Sequence, residues 1–402
     1  MNVQLVRTAI VLGLLSVVGP LAIDMYLPAL PAIGRDLGAA DAVIQQSLLA
    51  FLAAVAVGQL VYGPLSDMFG RKPPLYAGIA LFTLASIGCA LAPSAELLIL
   101  FRFLQGIGAC ASMSLPRAIV RDQYRGAEAT QLMSLVMLVF SVSPILAPLA
   151  GSIVIAFGDW RSMFWVMAAV GLLGLTLLVL ALKETRPREA RLNSGLGSAL
   201  SAYGRLLTDA RFMGLTLTST FGMSSFMAFV GNSSFVYIDH YGLTPTQYSL
   251  AFSVNAISFF ATTQATGLMV KRFGLSRVVV TAVTGYSASM LVLAAVFFSG
   301  FDSIYVLGGF MFLAFGFLGL VLPATGVLAM EEQGAIAGSA SALMGTVQMI
   351  TASLVMATVG AFADGSARPM VIAFAICGVL AFAIAQVTLR RRSPAAIEVP
   401  AE

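Results

Sequence analysis

Two charged residues lie inside stretches that are otherwise apolar enough to cross a membrane: Asp24, in "AIDMYLPALP", and Arg102, in "RFLQGIGACA". An ionised carboxylate in hydrocarbon costs ~2.5 to 3.5 kcal/mol on insertion scales, so Asp24 needs a partner, a proton or a use. A carboxylate and a guanidinium in one helical bundle can form an ion pair, directly or through water. Such a carboxylate can also take up and release a proton as the space around it opens to one side or the other. The chemistry these two residues suggest is therefore proton transfer, with Asp24 as carrier and Arg102 as its charge partner. A static pair that only fixes helix packing is the competing reading, and the Tyr26 hydroxyl is a second candidate partner for Asp24.

Other chemistries find little support. Cys89, Cys110 and Cys377 all sit in apolar runs without metal-ligand spacing and read as small buried residues. Neither a metal nor a cofactor is expected. No G-x-x-x-x-G-K-[ST] phosphate loop and no hydrolase constellation occurs, so the chain is not expected to be an enzyme or to couple to ATP. His240, the single histidine, reads as a solvated surface residue.

The elements that must hold Asp24 and Arg102 follow from composition. Of the 402 residues 59% are hydrophobic and 10% charged, and the mean hydropathy of +0.94 excludes a soluble domain of this length. Apolar windows long enough for a ~30 Å hydrocarbon core fall at about 7–30, 44–65, 74–93, 97–118, 132–157 and 161–182. A second set falls at about 211–238, 247–270, 277–299, 304–329, 336–362 and 368–389. Twelve spans put both termini on one side. Eighteen of the 22 Lys and Arg residues lie on the loops of that side and three on the opposite set, which makes the terminal side cytoplasmic. The net charge of +4 thus reports orientation rather than nucleic-acid binding. Asp24 then lies about 10 Å below the outer end of span 1 and Arg102 about 9 Å below the same face in span 4, in one layer.

The chain also repeats its plan. "GPLSDMFG" at 63–70, after span 2, returns as "GLMVKRFG" at 267–274, after span 8. The expected architecture is all-α and membrane-embedded, with two pseudo-symmetric six-helix halves at 1–183 and 211–390. A polar linker at 184–210, with a short surface helix, and a tail at 391–402 complete it. "GPLSDMFGRKP" reads as a tight turn between helices, with Gly63 and Gly70 allowing close approach and positive φ. In it Asp67 and Lys72 are charged, and Arg71 is free to pair with an acid.

Twelve spans in two repeats, with G-x-x-x-D-x-x-G-R-K after span 2, resemble the major facilitator superfamily. The resemblance implies that this loop locks the halves together on the cytoplasmic side, with Asp122 as partner of Arg71 and the start of span 11, near Gly334 to Ser339, as partner of Asp67. "RFLQGIGACA", with Arg102 and Gln105, looks like the span 4 motif of drug:proton antiporters, in which the arginine takes part in proton transfer. "SVSPILAPLAGS", with Pro144, Pro148 and Gly151, resembles the antiporter motif of span 5, although Ala147 and Ser152 replace two of its usual glycines. A narrower resemblance is to the Bcr/CflA drug-resistance branch, carried by "AIDMYLPALP", "VYGPLSDMFGRKP", "RAIVRDQY", "DWRSMFW" and "KETRP". In the C-terminal half "FVYIDHYGL" is the main match.

That resemblance implies a monomeric, proton-coupled antiporter of a bacterial inner membrane, exporting amphenicol, bicyclomycin-like or sulfonamide compounds or other small molecules. Its expected partners are protons, a small-molecule substrate and membrane lipid, with no nucleic acid. Relatives in the multidrug branch carry a second acid about two turns before the aspartate, where this chain has Ser16. Tyr26, Phe51, Gln105, Met137, Phe140, Phe226, Asn232, Asn255 and Phe259 are the candidates for the substrate cavity, as soft aromatic, thioether and amide groups suited to mixed ligands. The alternatives are a sugar or amino-acid symporter on the same fold and a non-transporting membrane sensor. The first would carry more polar groups in both halves, the second an added soluble domain.

Overall fold

In the computed structural model, residues 3–124, 126–182, 184–185, 196–333 and 336–390 are described. They form helices joined by short turns, with no strand among them. Span 1 is broken: Val3–Asp24 is followed by a 3-10 turn at Leu27–Ala29 and a second helix at Leu30–Leu37. Spans 2 to 6 are Asp41–Phe69, Lys72–Ala90, Ala95–Gln123, Gly126–Phe157 and Trp160–Ala181. A linker helix at Leu196–Thr208 precedes span 7, Ala210–Ser234, which runs on as a π-helical turn at Phe235–His240. Spans 8 to 12 are Pro245–Phe273, Leu275–Phe298, Ile304–Met330, Ala337–Ala361 and Arg368–Arg390.

Helices are the expected solution, because a helix satisfies its own backbone where lipid offers no hydrogen bonds. Ten of them are long and apolar enough to span by length and composition alone, and Val142–Phe157 in span 5 is a shorter apolar stretch. The starts of several are capped by side chains. Thr244 and Gln247 form a reciprocal capping box at span 8, and Asp159 and Asp209 accept backbone N–H groups at spans 6 and 7. The repeat also has a backbone signature: Gly70 and Gly274, one after span 2 and one after span 8, take φ of 98° and 83°. "GPLSDMFG" is not the loop it was expected to be. Span 2 stays helical to Phe69, so Gly63 lies inside a helix with open space where a Cβ would go, and the turn itself is confined to Gly70.

Within the first half, spans 2 and 3 pack on span 4, span 3 on span 6 and span 1 on span 5. In the second half, spans 7 and 11, 8 and 10, and 9 and 12 pair in the same manner. The glycines of "QGIG" explain the fit of span 4: a Cβ on Gly106 would lie 2.4 Å from the Phe51 carbonyl oxygen, and one on Gly108 2.5 Å from that of Gly78. Small residues let these backbones approach. The two halves meet through spans 2 and 11 and through spans 5 and 8.

We call the side bearing the turn at Gly70 and the linker the terminal face, and the side bearing the turns near Gly38, Ala92 and Gly242 the loop face. Around its break, span 1 is buried on every side, from Ala22 to Leu30. Toward the terminal face the same helix exposes Ile10 and Leu14. The break of span 1 is therefore enclosed by the bundle near the loop face.

Candidate functional site

Arg102 is fully buried, and its surroundings explain how span 4 tolerates it. Its guanidinium carbon lies 4.6 Å from the Tyr26 ring centroid and 4.5 Å from that of Phe51, between two aromatic faces. Nη1 donates to the Ala22 carbonyl oxygen at 3.0 Å and to Gln105 Oε1, while Nε and Nη2 have no hydrogen-bond partner. Gln105 is held in turn, its Nε2 donating to Ser86 Oγ at 2.7 Å. Tyr26 is fixed by Ser47, with 2.9 Å between the hydroxyl oxygens, and its ring lies 5.5 Å from that of Phe164.

Of the two forms of ion pair considered for Asp24 and Arg102, the direct one does not occur. Among the described residues no hydrogen bond or ion pair reaches Asp24, and the Tyr26 hydroxyl is engaged by Ser47 instead. The physical reason is the break in span 1. Asp24 ends the first helical segment, and the guanidinium reaches back to the carbonyl of Ala22, two residues earlier. Asp24 is nevertheless 4% exposed. The turn beside it packs on spans 5, 7 and 8, so the carboxylate sits where the two halves meet. Its electrostatic neighbour across that seam is Tyr248 of span 8, whose hydroxyl lies 3.0 Å from Ser233 Oγ of span 7.

Span 5 completes the seam. A Cβ on Gly151 would lie 2.1 Å from the Met25 carbonyl oxygen, so only glycine lets span 5 close on the break. The helix runs through Pro144 and Pro148, and its carbonyls there bond to span 8: Ser249 Oγ donates to Pro148 O at 2.9 Å and Ser253 Oγ to Ile145 O at 2.6 Å.

The nine cavity candidates separate. Tyr26, Phe51 and Gln105 form the nest of Arg102 and line no open space. Asn232 is buried in the seam, bonded to Gln45 of span 2, and Asn255 is buried beside Tyr237. Phe226 and Phe259 remain partly exposed and stack with centroids 5.8 Å apart, Phe226 also lying edge-on to Phe315 at 5.3 Å. The side chains of Met137 and Phe140 lie outside the described residues. His240 is not simply solvated, since Nε2 lies 3.1 Å from Asp302, which also accepts the Tyr241 hydroxyl at 2.6 Å.

At the terminal face, Arg71 is buried and joins three groups. Nε donates to Asp122 Oδ2 at 2.7 Å, Nη1 pairs with Asp67 at 2.8 Å and also donates to Ser66 Oγ at 2.7 Å. Gly334 and Ala335, in the stretch expected to meet Asp67, lie outside the described residues. Glu184, which the sequence reading passed over, accepts the backbone N–H of Arg71 and of Lys72 at 2.9 and 3.2 Å, a carboxylate at the N-terminus of span 3. Its signal was its place in "KETRP", the resemblance that closes span 6. Gln45, Ser249 and Ser253 were also missed. An amide in a span was legible as unusual, whereas serines in helices commonly bond their own backbone and carry no such flag.

The Major Facilitator Superfamily profile matches residues 12–356. An uncharacterized MFS-type transporter of Bacillus subtilis, YdgK, is 38% identical over 93% of this chain and 94% of its own length. A bicyclomycin resistance protein homolog of Haemophilus influenzae is 28% identical over 92% of both chains, and multidrug resistance protein MdtL of Shewanella oneidensis 30% identical over 85% of both. Among solved structures, a D-xylose-proton symporter superposes with a TM-score of 0.75 at 16% identity, covering 95% of this chain and 97% of its own. The nucleoside transporter NupG does so at 0.75 and 14%, covering 96% and 100%. These are likenesses of fold. The chain belongs to the Major Facilitator Superfamily and, within it, to the Bcr/CflA-like drug-resistance transporters.

Proposed function

We propose that this transporter is a proton-coupled antiporter that exports small amphiphilic compounds of the amphenicol, bicyclomycin-like or sulfonamide class across a bacterial inner membrane. The observation that carries the reading is Asp24: a buried carboxylate with no ion-pair partner among the described residues, at the seam where the halves separate. Its contact with water changes whenever that seam opens, so its proton occupancy follows the conformation. Arg102, held by Tyr26, Phe51 and Gln105, supplies a fixed positive charge at the Ala22 carbonyl, two residues before Asp24. The names of the relatives support the drug-resistance class.

In this reading the halves, 1–183 and 211–390, rock as a monomer around a midplane cavity walled by Phe226 and Phe259. The basic terminal face is cytoplasmic. Pro144, Pro148 and Gly151 hold span 5 against the break of span 1 and so block leakage. Asp67, Arg71 and Asp122 set the exchange between states. A growth-inhibition panel in an efflux-deficient host, with proton uptake recorded for each compound that scores, tests the proposal. Resistance with drug-dependent proton uptake is expected. Proton-driven accumulation of a sugar or amino acid would replace it with the symporter reading.

A further inference from the structure

Gln45 lies four residues into span 2 from the loop face, where its amide touches two helices of the other half. Nε2 donates to Asn232 Oδ1 of span 7 at 2.9 Å, and both side chains are buried. The orientation of the pair is fixed by the network. Asn232 gives its own Nδ2 to the Ala228 carbonyl at 2.8 Å, so its oxygen must face span 2 and Gln45 must present the donor. Gln45 Oε1 is thereby turned to span 11, where it has no hydrogen-bond donor. A Cβ on Gly360 would collide with that oxygen, so a larger residue at this place in span 11 must displace the Gln45 amide. The arrangement recurs four turns deeper: a Cβ on Gly345 would lie 2.1 Å from Gln59 Oε1.

We infer that Gln45 is the clasp of the loop-face gate, a positioning residue that joins the first half to spans 7 and 11 of the second and releases when the cavity opens to that side. It has both properties a releasable clasp requires. One arm makes a buried cross-half bond, and the other holds a buried acceptor that meets no donor within the protein, a cost that opening to water relieves, which keeps the closed state from being a trap. The inference rests on the rocking motion of the proposed function, but its test needs neither a substrate nor a proton gradient. Failure to export any drug would leave it standing.

The three native cysteines are buried, so spin labels can be directed to exposed positions. One pair, Ala40→Cys with Ala363→Cys, reports the loop face, and a second, Gln123→Cys with Arg272→Cys, reports the terminal face. In nanodiscs, Gln45→Leu is expected to move the population toward long loop-face and short terminal-face distances about fivefold, the effect of losing one net hydrogen bond. Gly360→Ala should do the same by wedging span 11 away. In a Gln45→Ala background the added methyl has no oxygen to meet, and Gly360→Ala should change nothing further. The exchanged pair, Gln45→Asn with Asn232→Gln, keeps the summed side-chain length and should restore the closed distances. Unchanged distances in Gln45→Leu overturn the inference. So does an opening by Gly360→Ala that persists in full without the Gln45 amide, or an exchanged pair as open as Gln45→Leu. Should Gln45→Leu not insert, the Gly360 and exchanged-pair variants carry the same decision.

Discussion

Arg102 is held by two rings, one backbone carbonyl and one amide, a setting that suits a planar guanidinium and not an ammonium. Arg102→Lys keeps the charge but loses the stacking, worth up to ~2 kcal/mol where desolvated. A thermal-shift assay in detergent should show it as a clear drop in melting temperature, and a wild-type melting curve would mean the rings contribute nothing. Asp24→Asn is the matching test of function. A neutral amide mimics the protonated acid, so active drug extrusion should stop while downhill exchange of drug for drug persists. A variant that still concentrates drug against its gradient would reduce Asp24 to a packing residue. Both charges were visible in the sequence as charges set well inside spans, away from their cytoplasmic ends. Their separation was not, because it depends on where span 1 breaks, and Pro28 and Pro31 announce a disturbance without saying which residue ends the helix.

At the scale of helices, the contact of span 5 with span 1 is the least forgiving. Gly151 meets a backbone oxygen at Met25, and backbone cannot rotate away as a side chain can. Gly151→Ala should destabilise the closed state by ~1 to 3 kcal/mol, the usual range for overpacking. Spin labels across the loop face should report partial opening, and a wild-type distance would show that span 1 yields freely. The turn after span 2 acts differently. Arg71→Ala removes the side chain that ties Asp67, Ser66 and Asp122 together, far from the cavity. Ligand affinity should stay within about twofold while turnover falls, as expected of a group acting on conformational exchange. Loss of binding with normal folding would place Arg71 in the pocket instead.

For the whole molecule, the number of protons per cycle sets which force drives export. Ser16, where relatives of the multidrug branch carry a second acid, is buried and donates to the Leu12 carbonyl at 2.7 Å, so one carboxylate remains in this layer. One proton exchanged for a neutral drug moves one charge inward and draws on the membrane potential, ~2.3 kcal/mol per 100 mV, as well as on the pH gradient. One proton exchanged for a monovalent cation moves none. Collapsing the potential with valinomycin and potassium at a fixed pH gradient should therefore slow export of neutral drugs and spare that of cations. Equal slowing of both would require a second proton.

The twelve spans and their division into two repeats were legible in the chain alone. These are properties of local hydropathy and of helices that satisfy their own backbone, so they can be read window by window. The sequence also paired Arg71 with Asp122 through a family motif. Only the tertiary structure decided that Arg102 turns to aromatic rings instead of Asp24, that Asp24 faces the other half, and that the break of span 1 is enclosed near the loop face. Each of these rests on contacts between residues far apart in the chain, such as Ala22 with Arg102 and Gln45 with Asn232. Ser224 and Ser253 are both serines in apolar helices, yet one bonds its own backbone at Thr220 and the other crosses to Ile145. Composition is the same in the two cases, and the difference lies in which helix the fold brings alongside.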